Sequence, residues 1–216
     1  MIYFISDIHG DIAFPGLKQY IEAATDDDLL IILGDTELNF QKTEENEKFT
    51  EWFLSINKKI IMIDGNHENF EYLNSFPEEE MYGGKVRRLT ENIILLERGN
   101  IYNIDGKSFF VFGGCKSSPK WKEMGLWYPG EEPSKDELNR AHANLEKCNY
   151  TVDYVLTHKY EVTPGKGTVC VELQKLVAFI NENVNYKKWF VGHGHREFDI
   201  DAKHMMVYDR PVALND

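Results

Sequence analysis

Apolar residues in this chain follow two rhythms. Short continuous runs, Ile2–Ile5, Leu29–Leu33 and Ile60–Ile63, contain no polar residue. Between them apolar positions recur at helical spacing: Leu17, Tyr20, Ile21 and Ala24, then Phe49, Trp52, Phe53 and Ile56. Strands this apolar are covered on both faces, so the alternation predicts an α/β sheet. The middle of the chain changes rhythm. Val86–Leu89, Ile93–Leu96, Ile101–Ile104 and Phe109–Phe112 are closely spaced strand candidates, with Asp105-Gly106 as a hairpin turn. Ser134 and Glu137, just after Pro133, have capping-box spacing and predict a helix ending near Cys148. Val152–Leu156, a helix from about Val169 to Asn183, and Trp189–Val191 resume the alternation. Phe198–Ile200 and Met205–Tyr208 read as a closing hairpin. A β-rich middle between two β/α halves predicts two packed sheets with helices outside. No repeat, low-complexity tract or linker interrupts the chain, which predicts one domain over residues 1–216.

Composition narrows the class. At 216 residues the chain can bury a core without disulfide or metal staples. With 42% hydrophobic and 28% charged residues it is neither collagenous nor disordered. Cys115, Cys148 and Cys170 are far apart and in no CxxC spacing, which predicts small buried thiols in a reducing cytosol. No basic leader follows Met1, and the longest apolar run is far short of the roughly 20 residues a bilayer requires. The expectation is a soluble cytoplasmic protein with no membrane partner; oligomeric state is left open. Thirty-six acids against 24 Lys plus Arg give a net charge of -12. Such a surface disfavours long nucleic acid, whose phosphates need clustered positive charge.

Metal-ligand residue types then fall where the predicted strands end. Asp7-Ile8-His9 follows the first, Gly34-Asp35 the second and Gly65-Asn66-His67-Glu68 the third. Later strands run into Thr157-His158 and Gly192-His193-Gly194-His195. Five of the seven histidines sit in these loops. Open α/β sheets place their sites beyond the carboxyl ends of the strands, where such loops converge. Asp, Asn and His supply hard oxygen and borderline nitrogen, suited to Mn²⁺, Fe or Zn²⁺ rather than to thiolate-bound metals. Adjacent glycines let the backbone turn sharply. Taken singly, the shorter motifs are equally good caps or turns, and a lone His158 is more often a hydrogen-bonded core histidine than a ligand. All five, in order and each at a strand end, form one constellation.

These blocks resemble those of the calcineurin-like metallophosphoesterases: Asp-x-His, Gly-Asp, Gly-Asn-His-(Asp/Glu), a lone His after a strand, and Gly-His-x-His. The resemblance runs from Asp7 to His195. It implies a four-layer α/β/β/α sandwich of two mixed β-sheets flanked by helices. It implies one metal on Asp7, His9 and His195, a second on Asn66, His158 and His193, and Asp35 bridging both. The cofactors implied are two divalent ions, Mn²⁺ first, with Fe, Zn²⁺ or Ni²⁺ as alternatives. Two such ions roughly 3.5–4 Å apart share a carboxylate and a water, which attacks phosphorus in line. His67 matches the family histidine that contacts phosphate and protonates the leaving group. Asn66, His67 and Arg196 are the substrate-binding candidates, although a surface role competes for Arg196.

Departures matter too. The family's second block often continues Gly-Asp-x-x-Asp, with the last Asp pairing the acid histidine. That position is Leu38 here, and Glu37 is one residue early, an offset expected to re-aim its side chain. The phosphate-forking arginines of the phosphoprotein phosphatase branch are absent, Asp64 and Thr36–Phe40 occupying their places. The segments 34–40 and 112–114 are more similar to small bacterial and phage-borne metallophosphoesterases. Trp121 to Pro133 is an unusual insertion whose aromatics either wall the site or pack a long loop onto the core. Its Glu131 and Glu132 would repel an extended polyanion. Lys116 and Lys120 are nearby phosphate-contact candidates, with solvated surface as the competing reading. His142 and His204 lie outside every block and read as non-ligands. The sequence thus leads to hydrolysis of a small phosphate monoester or diester, such as a nucleotide. A nuclease is disfavoured by charge, a protein phosphatase by the missing arginines, and a non-catalytic scaffold by the complete ligand set.

Overall fold

Side chains alternate across a strand, so a strand buried on both faces feeds two separate cores. The computed structural model, which describes residues 1–160 and 169–215, shows this division directly. In chain order the first elements are β1 (Ile2–Ile5), α1 (Pro15–Ala23), β2 (Leu29–Leu33), α2 (Glu44–Leu54) and β3 (Ile60–Ile63). The middle holds α3 (Phe70–Asn74), β4 (Glu78–Met81), β5 (Gly84–Arg88), β6 (Ile93–Leu96), β7 (Asn100–Ile104) and β8 (Lys107–Phe112). After it come α4 (Pro119–Glu123), α5 (Lys135–Lys147), β9 (Tyr154–Thr157), α6 (Val171–Asn183) and β10 (Lys188–Val191). The strands β11 (Phe198–Asp199), β12 (His204–Met206) and β13 (Val212–Ala213) complete the described residues.

Two mixed sheets result. The first has the order β13-β1-β2-β3-β6-β5-β4, parallel from β1 to β6 and antiparallel at both edges. The second has the order β11-β12-β10-β9-β8-β7, again parallel at its centre. Phe4, Leu29, Ile31, Leu33, Ile61 and Ile63 face inward against Tyr102, Phe109, Val111, Tyr154, Leu156 and Phe190. Phe4 and Phe190 stack across the seam with centroids 4.2 Å apart. The alternate residues Ile5, Leu30, Ile32 and Met62 face Leu17 and Tyr20 of α1 and Phe49 and Phe53 of α2. On the far side Phe110, Phe112, Val155 and Trp189 meet Ala141 and Leu145 of α5 and Leu173, Leu176 and Ile180 of α6. This is the expected α/β/β/α sandwich. Each fully buried side chain of this size contributes roughly 1.5–3 kcal/mol.

Local signals were mostly realised. Ser134 and Glu137 form the capping box that opens α5. Asp105 and Gly106, at φ 50° and 74°, make the tight turn between antiparallel β7 and β8. The closing hairpin forms as β11 and β12, and β12 adds in parallel beside β10. Four elements have no clear apolar signature: α3, β4, α4 and β13. β4 begins Glu78-Glu79-Glu80 on the sheet's outer edge, where charge blocks further strand pairing. No helix among the described residues is long and apolar enough to cross a membrane.

The chain passes from one sheet to the other between β6 and β7, and Arg98 pins that crossover. It is 3% exposed, and its Nε donates to Asp64 Oδ2 at 2.7 Å, just beyond β3. Its Nη1 lies 3.6 Å from Glu137 of α5. Removing one member of such a pair strands a buried charge. Arg98→Met is expected to lower the unfolding free energy by about 3–5 kcal/mol in urea denaturation. The double variant Arg98→Met/Asp64→Asn should recover part of that loss, because the stranded carboxylate is gone.

Candidate metal centre

Five parallel strands near the two sheet centres deliver the motifs at their carboxyl ends. β1 leads into Asp7 and His9, β2 into Asp35, β3 into Asn66 and His67, β9 into His158, and β10 into His193 and His195. The loops are not relaxed. Asp7, His9, Asp35, His193 and His195 have φ of 60°, 51°, 54°, 65° and 49°, a left-handed conformation L-residues avoid. Such strain persists only where surroundings over-determine it. Here Asp7 N–H donates to Gly34 O and His9 N–H to Asp35 O, both at 3.0 Å. The Glu68 carboxylate accepts Thr36 N–H at 2.9 Å and Glu37 N–H at 3.3 Å. Two glycines permit close approach. A Cβ on Gly34, itself at φ 92°, would run into the His158 ring, and one on Gly65 would overlap the Asp35 carboxylate. Gly65 therefore serves proximity, and only Gly34 the sharp turn.

The predicted residues converge as two adjoining groups. In the first, His9 Nε2 and His195 Nε2 are 3.0 Å apart, and Asp7 Oδ1 is 3.3 Å from His195 Nε2. In the second, His158 Nε2 lies 3.2 Å from both Asn66 Oδ1 and His193 Nδ1. Asp35 stands between them. Its Oδ2 is 3.7 Å from His9 Nε2, and its Oδ1 is 3.4 Å from His158 Nε2. His193 N–H donates to Asp7 Oδ2 at 2.8 Å, tying the two sheets together across the groups.

The protonation chemistry suits cations. His158 Nδ1 donates to the Leu33 carbonyl at 2.7 Å, so Nε2 is the nitrogen turned to the cluster. Burial opposes a charge on His158, but Asp35 overrides it and raises the imidazole to about 9. Burial likewise opposes ionisation of Asp35, yet the neighbouring His158, His67 and His9 hold its carboxyl far below the usual range. Burial and the adjacent His158 lower His193 to about 3, leaving its lone pair available. Asp7 Oδ1 is buried without a hydrogen-bond partner. Converging imidazole nitrogens, an orphaned carboxylate oxygen and a carboxylate shared between groups fit two divalent cations.

One expectation, the re-aiming of Glu37, is overturned, and two features lay outside the sequence reading. Glu37 does reach the site. At φ 63° its backbone absorbs the one-residue offset, and Leu38 turns into the core instead. Glu37 Oε1 lies 2.8 Å from His9 Nδ1 and 3.5 Å from His67 Nδ1. Cys115 Sγ donates to Asn66 Oδ1 at 2.8 Å, beside the second group. Tyr208 stacks on His195 at 5.2 Å. A longer acid beside the vacant Asp position was the signal for Glu37; nothing local pointed to Cys115 or Tyr208.

An open cleft of about 450 Å³ fronts the groups, walled by His9, Asp35, Glu37, His67, Trp121 and His195 among others. The Trp121 ring meets His67 edge-on at 4.3 Å. The insertion divides its roles: Trp121, on α4, walls the cleft, while Tyr128 packs the loop down by donating to Phe40 O at 2.8 Å. Glu131 is buried, with Oε1 accepting Ser117 N–H at 3.0 Å, and Glu132 pairs with Lys116 at 3.0 Å. Glu131 is thus withdrawn from the surface, while Glu132 stays exposed beside Lys116. Arg196 is exposed and not among the residues lining the cleft; Lys120 is also exposed. His204 is buried between Asp201 and Tyr186, and His142 packs edge-on against Phe179.

The sequence profile of the calcineurin-like phosphoesterases matches residues 1–197, and the chain belongs to that family. The fold is similar to TT1561 of Thermus thermophilus, at 15% identity and a TM-score of 0.56, covering 96% of this chain and 88% of that one. AQ665 of Aquifex aeolicus, a protein of unknown function, aligns at 18% identity and a TM-score of 0.38, over 82% and 86% of the two chains. No curated protein matches the chain.

Two outcomes follow for the metal-free protein. His158 must shed its proton to bind a cation, so divalent-ion affinity should rise as pH climbs from about 6.5 toward about 9. Isothermal titration across that range measures it, and a flat profile refutes the assignment. Glu37 orients the His9 ring from behind, so Glu37→Gln should weaken metal affinity about 10–100-fold without unfolding the protein. Calorimetry paired with circular dichroism separates those effects.

Proposed function

We propose that the protein is a dinuclear-metal-dependent phosphoesterase hydrolysing a small phosphate monoester or diester, with nucleotides in its substrate range. The single observation behind this reading is the placement of Asp35, whose two carboxylate oxygens face different groups of donors. The first group would use Asp7, His9 and His195, and the second Asn66, His158 and His193, with Asp35 shared. When bound, two divalent ions supply neutralisation of phosphoryl oxygens and a water of lowered pKa. Mn²⁺ is the first expectation, with Fe, Zn²⁺ and Ni²⁺ as alternatives.

The chain's own residues supply the rest. His67 lines the cleft, and Nδ1 is its nitrogen toward Glu37, which leaves Nε2 for a phosphate or leaving-group oxygen. Burial lowers its pKa, so at neutral pH the free ring is neutral. An incoming phosphate dianion favours the protonated ring, which then delivers the proton to the departing oxygen. Trp121 fixes the ring from the side and offers an apolar wall to the leaving group. The open cleft accommodates one phosphate ester, while the -12 surface charge disfavours a long polyanion.

A side-by-side assay of aryl monoester, aryl diester, nucleotide, phosphopeptide and single-stranded DNA, each with and without added Mn²⁺, tests this reading. Metal-dependent turnover of the small esters is expected; inertness on all of them under saturating metal sinks it. Asp35→Asn should abolish turnover and reduce binding at both ions. His67→Ala should retain both ions yet lose about 10²–10⁴ in kcat. Metal analysis alongside the kinetics distinguishes the two variants.

A further inference from the structure

We propose that the Cys115 sulfur is a ligand of the second ion, making that half of the centre chemically unlike the first. The inference rests on the two-ion reading above. Cys115 follows the Gly113-Gly114 pair at the end of β8 and is fully buried. Its Sγ lies 2.8 Å from Asn66 Oδ1 and 3.8 Å from His193 Nδ1. Sulfur, a His193 nitrogen and a His158 nitrogen all lie within 4.8 Å of one another, the spacing of atoms sharing one coordination sphere. Bonds of about 2.0–2.1 Å to nitrogen and 2.3 Å to sulfur place neighbouring donors roughly 3–3.6 Å apart, and with Asn66, His158, His193 and the shared Asp35 the sulfur makes a fifth donor.

The backbone that delivers the thiol is specifically shaped. Gly114 N–H donates to Asp64 O at 2.9 Å, joining the end of β8 in one sheet to the end of β3 in the other. A Cβ on Gly113 would overlap Asp64, and Gly114 sits at φ 73°. Only glycines let the two strand ends approach this closely, and the approach seats Cys115 against Asn66. In the metal-free protein the S–H group donates to Asn66 Oδ1. On loading, the S–H bond breaks, the proton leaves to solvent and a sulfur lone pair passes to the cation. No electron is transferred. Cys148 and Cys170, at the end of α5 and the start of α6, contribute to the outer helical layer instead.

Softness then sorts the ions. The first group offers oxygen and imidazole alone, whereas the second adds sulfur, which selects Zn²⁺, Fe or Co²⁺ over Mn²⁺. The proposal thus narrows the cofactor choice for one position and leaves the other open.

Cobalt-substituted wild-type protein tests this by a readout independent of turnover. A near-ultraviolet sulfur-to-Co²⁺ charge-transfer band is expected at two Co²⁺ per chain. Cys115→Ser should lose the band and weaken one of the two ions by at least 10–100-fold, the cost of losing even a supporting partner. Cys148→Ser/Cys170→Ser should keep the band. Wild-type protein that binds two Co²⁺ without the band overturns the sulfur ligand and leaves the two-ion reading standing. Failure of wild-type protein to bind two ions overturns the two-ion reading itself. X-ray absorption of the Zn²⁺-loaded wild type needs no variant: a sulfur shell near 2.3 Å supports the proposal, and a shell of only nitrogen and oxygen refutes it.

Discussion

A negative charge buried at the seam of two sheets organises this molecule. Asp35 is 1% exposed, and an isolated carboxylate there would be strongly disfavoured. It is kept ionised by a surround drawn from three other strand ends: His67 N–H at 2.8 Å, His158 at 3.4 Å and His9 at 3.7 Å. Those partners sit in both sheets, so satisfying one carboxylate also sets how the sheets meet. Much of the seam is held by non-directional apolar packing, as between Phe4 and Phe190, which does not fix a side chain to within an ångström. Directional bonds to Asp35 do.

The same constraint accounts for the backbone strain. Left-handed conformations at Asp7, His9, Asp35, His193 and His195 would each cost on the order of 1–3 kcal/mol in a free loop. They concentrate where donor atoms must converge, and they are locked by cross-loop bonds such as Asp7 N–H to Gly34 O. Glu68 clamps the Asp35 loop from behind through two backbone N–H groups. Burial first, and the charge of Asp35 second, raise the Glu68 carboxyl to about 8.

The centre is also asymmetric. One group opens to the cleft through His195, which stacks on Tyr208, whereas the other reaches it through His193 and is backed by the buried His158 and Cys115. A ring that is half exposed can exchange partners, while a fully buried one cannot. Glu37 links the first group to His67 by facing both imidazoles at once, so the orientations of the two rings depend on one carboxylate.

Much of this was legible in one dimension. Parallel strands fed by helices give long apolar runs, and those runs placed β1, β2, β3 and β6 almost residue for residue. The five motifs were legible because turning the chain at a strand end and binding a cation both demand rare residue types at fixed spacing. Elements stabilised by neighbours rather than by their own pattern, such as the Glu-rich β4, were not. Cys115 carried no local signal, and Glu37 only that of an acid one residue out of place, for a different reason. Glu37 reaches His9 only because its φ turns positive, and Cys115 reaches Asn66 only because Gly113 lets the end of β8 close on β3. The sequence by itself determined the layered fold and the set of candidate ligands, since both follow from periodicity and local chemistry. Which further side chains join that set was decided by tertiary structure alone, because contact across two sheets depends on backbone angles and sheet approach that no local pattern encodes.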